Sequence, residues 1–71
     1  MTMNAIQIEL NGRPHPADAN YTLQELVAKL GLSGKSLAIS INREVIKRSD
    51  WSNRRLKTAD RIEIVHAIGG G

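Results

Sequence analysis

Thr22-Leu23-Gln24-Glu25 opens the only segment of this chain whose apolar residues repeat with a helical period. A hydroxyl at the N-cap and a carboxylate three residues later form a capping box, in which each side chain satisfies the other residue's free backbone N–H. Leu23, Leu26, Val27 and Leu30 then recur at the i, i+3, i+4, i+7 spacing of one helix face. Gly31 supplies a left-handed stop. The spacing predicts a helix over Leu23 to Leu30. Two turns of helix cannot bury their own apolar stripe, so they require a partner layer.

The rest of the chain offers that layer as strands. Ile6, Ile8 and Leu10 alternate with Gln7, Glu9 and Asn11, the period of a half-buried strand. Asn11-Gly12 is a strong hairpin turn. A second strand is expected over Arg13 to Asp18, confined to a sheet edge by Pro14 and Pro16. Leu37, Ile39 and Ile41 alternate with Ala38, Ser40 and Asn42 in a third strand. Asn42-Arg43-Glu44 turns into the short apolar piece Val45-Ile46. Ser49-Asp50-Trp51 is expected to cap a brief helical turn, and Leu56 to anchor the following loop. Arg61 to Ile68 is the last strand, with Ile62, Ile64, His66 and Ile68 on one face. The order implies an α+β domain: a mixed sheet of four to five strands with one main helix packed on one face. It spans residues 1–68, with 69–71 as a flexible glycine tail.

With 71 residues there is room for one domain and a small core. That core is aliphatic, because Phe is absent and Tyr21 and Trp51 are the only aromatics. Trp51 reads as a packing anchor. Cysteine is absent, which excludes a disulfide scaffold, a thiolate metal site and a catalytic thiol in this chain. Met1 to Asn4 show no basic segment leading into an apolar run, and no stretch reaches the roughly 20 apolar residues of a membrane span. A cytoplasmic protein without membrane association is therefore expected, as a monomer when free. The net charge is +3, and seven of the ten basic residues lie between Arg43 and Arg61 with only Glu44, Asp50 and Asp60 among them. A basic stretch so short of aromatics lacks the stacking platforms of single-strand binders. No nucleic-acid partner is expected, and an acidic protein suits the patch better.

Gly69-Gly70-Gly71 is the strongest chemical signal. Bare backbone after a strand buries nothing and costs conformational entropy. Without β-carbons it can thread a narrow channel, reaching roughly 10 Å when extended, and present a terminal carboxylate to another protein's active site. Other motifs fall away. Gly31-Leu32-Ser33-Gly34-Lys35-Ser36 is not a phosphate loop, since Lys29 stands where the first glycine belongs and the segment runs helix to strand. His15 and His66 lack a second ligand at metal-site spacing. Glu9, Glu25, Glu44 and Glu63 show no pairing suited to acid–base work. On the sheet face away from the helix, the small residues Ala38, Ser40, Val65 and Ala67, with Ile68 beyond them, form a candidate docking patch if no second layer covers them.

Taken together, the Ile6–Asn11 strand, the Thr22–Leu30 helix with Gly31, Leu37 to Asn42, Val45-Ile46, Arg48 with Trp51, and above all Asp60 to Gly71 resemble the ThiS family of sulfur carriers. The resemblance covers essentially the whole chain and implies the ubiquitin-like β-grasp fold. Gly70-Gly71 match the diglycine that the family uses chemically, and Gly69 extends it. One departure is Thr58-Ala59-Asp60, where members often carry acidic-Gly-Asp. Ala59 tolerates positive φ less well than glycine.

The resemblance implies that this chain is a protein co-substrate, not a catalyst. A ThiF-type adenylyltransferase would activate the Gly71 carboxylate with ATP and magnesium, and no cofactor would be intrinsic to the carrier. A sulfur donor such as a cysteine desulfurase would convert it to a thiocarboxylate. A ThiG-type thiazole synthase would take the sulfur for the thiamine thiazole. Carriers for molybdopterin synthesis or tRNA thiolation, and ubiquitin-like protein modifiers, share the fold and tail and remain alternatives.

Overall fold

The computed structural model describes residues 5–67. Its elements are β1 (Ala5–Leu10), β2 (Arg13–Asp18), α1 (Leu23–Lys29), β3 (Leu37–Ile41), β4 (Glu44–Val45), a 3-10 turn at Arg48–Asp50, and β5 (Arg61–His66). The sheet runs β2-β1-β5-β3-β4. Its central pair, β1 and β5, is parallel through Glu9↔Arg61 and Leu10↔Ile62, and every other pairing is antiparallel. As expected from its prolines, β2 is an edge strand.

The helix begins as the capping box requires. Glu25 N donates to Thr22 Oγ1 at 3.2 Å, and Thr22 N donates to Glu25 Oε1 at 2.8 Å. It ends one residue earlier than the apolar stripe suggests, with Leu30 as the C-cap and Gly31 at φ 74°. Leu23, Leu26 and Val27 are buried against Ile8, Ala17, Ile39, Ile41, Ile62 and Ile64 of the sheet. Leu30 packs at the margin.

The connection from β4 to β5 closes one end of this core with Trp51 and Leu56. Trp51 is 1% exposed, and its Nε1 donates to the Ile46 carbonyl at 3.0 Å. The Arg48 guanidinium lies 4.8 Å from its ring centroid, a cation–π contact. The same connection serves the helix terminus: Leu23 N donates to Arg54 O and Gln24 N to Trp51 O. Two of the N–H groups that a helix leaves unpaired are thereby satisfied.

Two sequence expectations are corrected here. The helical turn near Ser49 has Lys47 as its N-cap, with no side-chain hydrogen bond to cap it. A single 3-10 turn held by Asp50 N to Lys47 O and by the buried Trp51 does not need one. His66 does not share the burial of Ile62 and Ile64. It is exposed at the last position of β5, where its pairing partner Leu37 is itself only half-buried. Ile68 lies outside the described residues.

Two asparagines hold β5 from opposite sides. Asn11 has φ 50° and Asn42 φ 52°, each followed by another left-handed residue, Gly12 and Arg43. Two successive residues of positive φ form the turn that matches strand twist. Both side chains then act as surrogate backbone. Asn11 Oδ1 accepts from Ile64 N at 2.9 Å while its Nδ2 donates to Ile64 O at 3.2 Å. Asn42 Oδ1 accepts from Arg61 N at 2.9 Å, and its Nδ2 donates to Asp60 Oδ1 at 3.1 Å.

Asp60 is the buried charge of the described residues, 4% exposed. It also accepts from Lys57 N at 2.8 Å and pairs with Arg54 at 3.3 Å, so its oxygens are well satisfied. This network fixes the turn before β5, where Ala59 sits at φ 69°. An L-residue there costs roughly 1–2 kcal/mol, although glycine gives back some backbone entropy in the unfolded chain. Ala59→Gly is expected to raise stability by about 0.5–1 kcal/mol in a urea titration, with an unchanged slope. A loss of stability would show that the turn does not hold the strain its geometry implies.

Candidate functional site

The helix covers one face of the sheet. Among the described residues, no second layer covers the other. Ala38 pairs with Val65, and Ser40 with both Glu63 and Val45, which places these side chains in adjacent rows on the open face. Val65 is 58% exposed and Val45 76% exposed, the two large apolar side chains of the described residues left in solvent. They flank a shallow depression of about 200 Å³ with Ala38, Ser40 and Glu63. Ala38 and Ala67 are exposed, while Ser40 is half-buried and donates to Glu63 Oε1 at 3.3 Å.

Sequence reasoning placed Ala38, Ser40, Val65 and Ala67 on this face, and the register brings the first three together. Ala67 follows β5, with its N–H donating to Ser36 O at 2.9 Å, which continues the pairing toward the chain end. Val45 was missed as a site residue. No local pattern gave it away: in the short apolar piece Val45-Ile46, the face that Val45 joins is set by its register with Ser40. Ile68, Gly69, Gly70 and Gly71, the remaining site residues expected from sequence, lie outside the described residues.

The open apolar face is a surface of the kind that docks a partner. Among the described residues, no group of three or more His, Asp or Glu side chains is placed to hold a metal ion. His15 lies on edge strand β2 and His66 at the end of β5, two strands away. No helix of the described residues is long and apolar enough to cross a membrane. What β5 does is lead from an immobilised strand, next to an open apolar face, toward three glycines.

A family model described as the ThiS family matches residues 1–71. The chain belongs to the ThiS family. It is 32% identical to the sulfur carrier protein ThiS of Thermus thermophilus, across 87% of this chain and 95% of that one. It is 41% identical over 66 residues to a thiazole synthase of Magnetococcus marinus. There the match covers 93% of this chain but 20% of the relative, so the chain spans about a fifth of that protein's length. Among solved structures, the thiamine biosynthesis protein ThiS of Geobacter metallireducens superposes with a TM-score of 0.81 at 25% identity, covering 93% of this chain and all of that one. The five-stranded mixed sheet with one helix is thus the family's ubiquitin-like β-grasp, as the sequence resemblance implied.

Proposed function

We propose that this chain is a sulfur carrier protein of thiamine biosynthesis, with Gly71 as the reacting residue. One observation carries the proposal. The whole chain, glycine pair included, matches the ThiS family, and its structure sets an uncovered apolar face beside the strand that leads to those glycines.

The chemistry follows from the terminal carboxylate. Ionised at neutral pH, it is a poor electrophile. In the active site of a ThiF-type enzyme, using that enzyme's ATP and magnesium, a carboxylate oxygen attacks the α-phosphorus and pyrophosphate departs. The acyl-adenylate now carries a good leaving group. The terminal sulfur of a persulfide, held by a donor such as a cysteine desulfurase, attacks the acyl carbon, and a C–S bond forms as the C–O bond to AMP breaks. A thiol reductant then cleaves the S–S bond of the resulting acyl disulfide, leaving the thiocarboxylate on Gly71 and a disulfide between the reductant and the donor. A ThiG-type thiazole synthase accepts this sulfur. The likeness to a fifth of a protein named thiazole synthase supports that acceptor. The carrier itself positions its terminus by docking and catalyses nothing.

The test is intact-protein mass spectrometry after incubation with a ThiF-type enzyme, ATP, magnesium and a sulfur source. The expected product has one oxygen replaced by sulfur. Neither adenylate nor thiocarboxylate with a demonstrably active enzyme would overturn the proposal. Transfer to a molybdopterin precursor or to tRNA in place of the thiazole would reassign the acceptor, and conjugates to lysine would make the chain a modifier.

The docking face has its own test. Val65→Asp places a desolvation-costly charge at the centre of the apolar rows and beside Glu63. The binding loss expected at a buried hot spot is about 2 kcal/mol, roughly thirtyfold in Kd for the activating enzyme. Because Val65 is largely exposed, the free domain should lose no more than about 1 kcal/mol of stability. Unaltered adenylation kinetics would show that this face is not where the enzyme docks.

A further inference from the structure

Strand β5 is held unevenly along its length. On one side β3 pairs with it from Ile62 to His66, and Ala67 N donates to Ser36 O beyond that. On the other side β1 supplies two pairs, Glu9↔Arg61 and Leu10↔Ile62, and a backbone bond runs from Asn11 N to Ile62 O at 2.9 Å. The chain then turns away through the left-handed pair Asn11 and Gly12. Ile64, two residues further along β5, has no β1 residue opposite it. The Asn11 side chain takes that place, accepting from Ile64 N at 2.9 Å and donating to Ile64 O at 3.2 Å. A side-chain amide carries both an acceptor and a donor, so it can answer both polar groups of one backbone residue. Ile64 is 8% exposed, so its N–H and C=O are poorly placed to find water in its stead.

We propose that Asn11 is a positioning residue for sulfur loading, clamping β5 at Ile64 so that the chain leading to Gly71 leaves the sheet from a fixed place. The inference rests on the sulfur-carrier reading and adds a residue to it. Val65 of the docking face directly follows Ile64, and Gly71 lies seven residues beyond Ile64. With the amide in place, this part of β5 is flanked on both sides and keeps one position relative to the face that the activating enzyme grips. Without it, β5 beyond Ile62 is paired with β3 alone, as a sheet edge would be. A tail that starts from a shifting point presents its carboxylate correctly for only part of the time. Asn11 touches no reacting atom and acts through Ile64. Asn42 supplies the contrast within the same molecule. It has nearly the same φ and an amide with two hydrogen bonds, but those go to Arg61 N and Asp60, at the end of β5 remote from the glycines.

The experiment compares Asn11→Gly with Asn42→Gly in the full chain. Glycine accepts the left-handed turn, so each variant loses its amide without straining the backbone. Adenylate formation at saturating ThiF-type enzyme is read by pyrophosphate release, affinity by titration, and local opening by hydrogen exchange at the Ile64 amide. A misplacement of about 1 Å can cost about a hundredfold, so partial loss of position in Asn11→Gly is expected to lower the saturating rate about tenfold, with affinity within about threefold. Its Ile64 amide should exchange faster than in the wild type. Asn42→Gly should melt at least as early, because it also takes a partner from buried Asp60, yet be adenylated at a near wild-type rate. Asn11→Asp keeps the turn and the acceptor for Ile64 N but loses the donor, and it carries the same comparison should the glycine variant not fold. A wild-type saturating rate in the Asn11 variant would overturn the inference. So would equal falls for Asn11 and Asn42, which would make general stability the cause, or a loss of affinity in proportion to rate, which would make Asn11 part of docking. No adenylation of the wild-type chain by a demonstrably active enzyme would overturn the sulfur-carrier reading itself, and the inference with it.

Discussion

Trp51→Ala is expected to remove most of this domain's stability. A chain of this length has a total of about 4–10 kcal/mol to lose. Truncating a buried large aromatic costs about 3–5 kcal/mol through lost transfer energy and the cavity left behind. Here the loss is compounded. Trp51 is 1% exposed in a core otherwise built from aliphatic side chains, so no second aromatic can fill the space. The Ile46 carbonyl also loses its indole donor, and Arg48 its ring. The residue further organises the segment that satisfies the helix N-terminus through Gln24 N to Trp51 O. At about 4 °C or more per kcal/mol for a domain of this size, the melting temperature should fall by at least about 12 °C. Trp51→Phe keeps most of the bulk and loses the hydrogen bond, so a drop of about 1–2 kcal/mol is expected for it. Equal effects for the two variants would mean that the hydrogen bond, and not the packing, anchors the loop.

Much of this fold could be read from side-chain period alone. The helix was legible because three signals agree on it: the capping box, the apolar stripe and Gly31. The strands β1, β3 and β5 were legible because Ile, Leu and Val alternate with polar residues on a sheet with one buried face. The prolines of β2 even indicated its place in the strand order. What the sequence did not show were features that depend on residues far apart in the chain meeting. Asn11 reads as a turn former, and nothing local reveals that its amide reaches Ile64, which stands 53 residues away. Asp60 reads as one more loop acid, yet it is buried with Arg54, Asn42 and the Lys57 amide around it. His66 continues the parity of Ile62 and Ile64 but not their burial, because it closes the strand opposite Leu37, at the margin of the core. The same holds for the open face. Alternation identified Ala38, Ser40 and Val65 as its members, whereas Val45 joined them only through its register with Ser40.

Removing Gly71 is expected to abolish sulfur loading while leaving fold and docking intact. The loss separates the two halves of the proposed function. Gly71 carries no side chain, so its removal takes none from the apolar core, whose members run from Ile8 to Ile64. Stability should therefore stay within about 0.5 kcal/mol of the full chain. The open face is equally untouched, so affinity for the activating enzyme should change by less than about threefold, under 1 kcal/mol. Chemistry is different. Deleting one residue draws the carboxylate back by up to about 3.5 Å along an extended tail. In-line attack on phosphorus needs the reacting atoms held about 3–3.5 Å apart, and a misplacement of even about 1 Å can cost about a hundredfold. Loss of more than a hundredfold in adenylate formation is thus expected at near-normal affinity, read by pyrophosphate release alongside a binding titration. Val65→Asp should show the converse pattern, with weakened affinity and a normal rate at saturating enzyme. If the shortened chain is adenylated normally, the position of the carboxylate is not what the tail supplies. If it loses binding in proportion to rate, the glycines contribute to docking itself and the open face is only part of the interface.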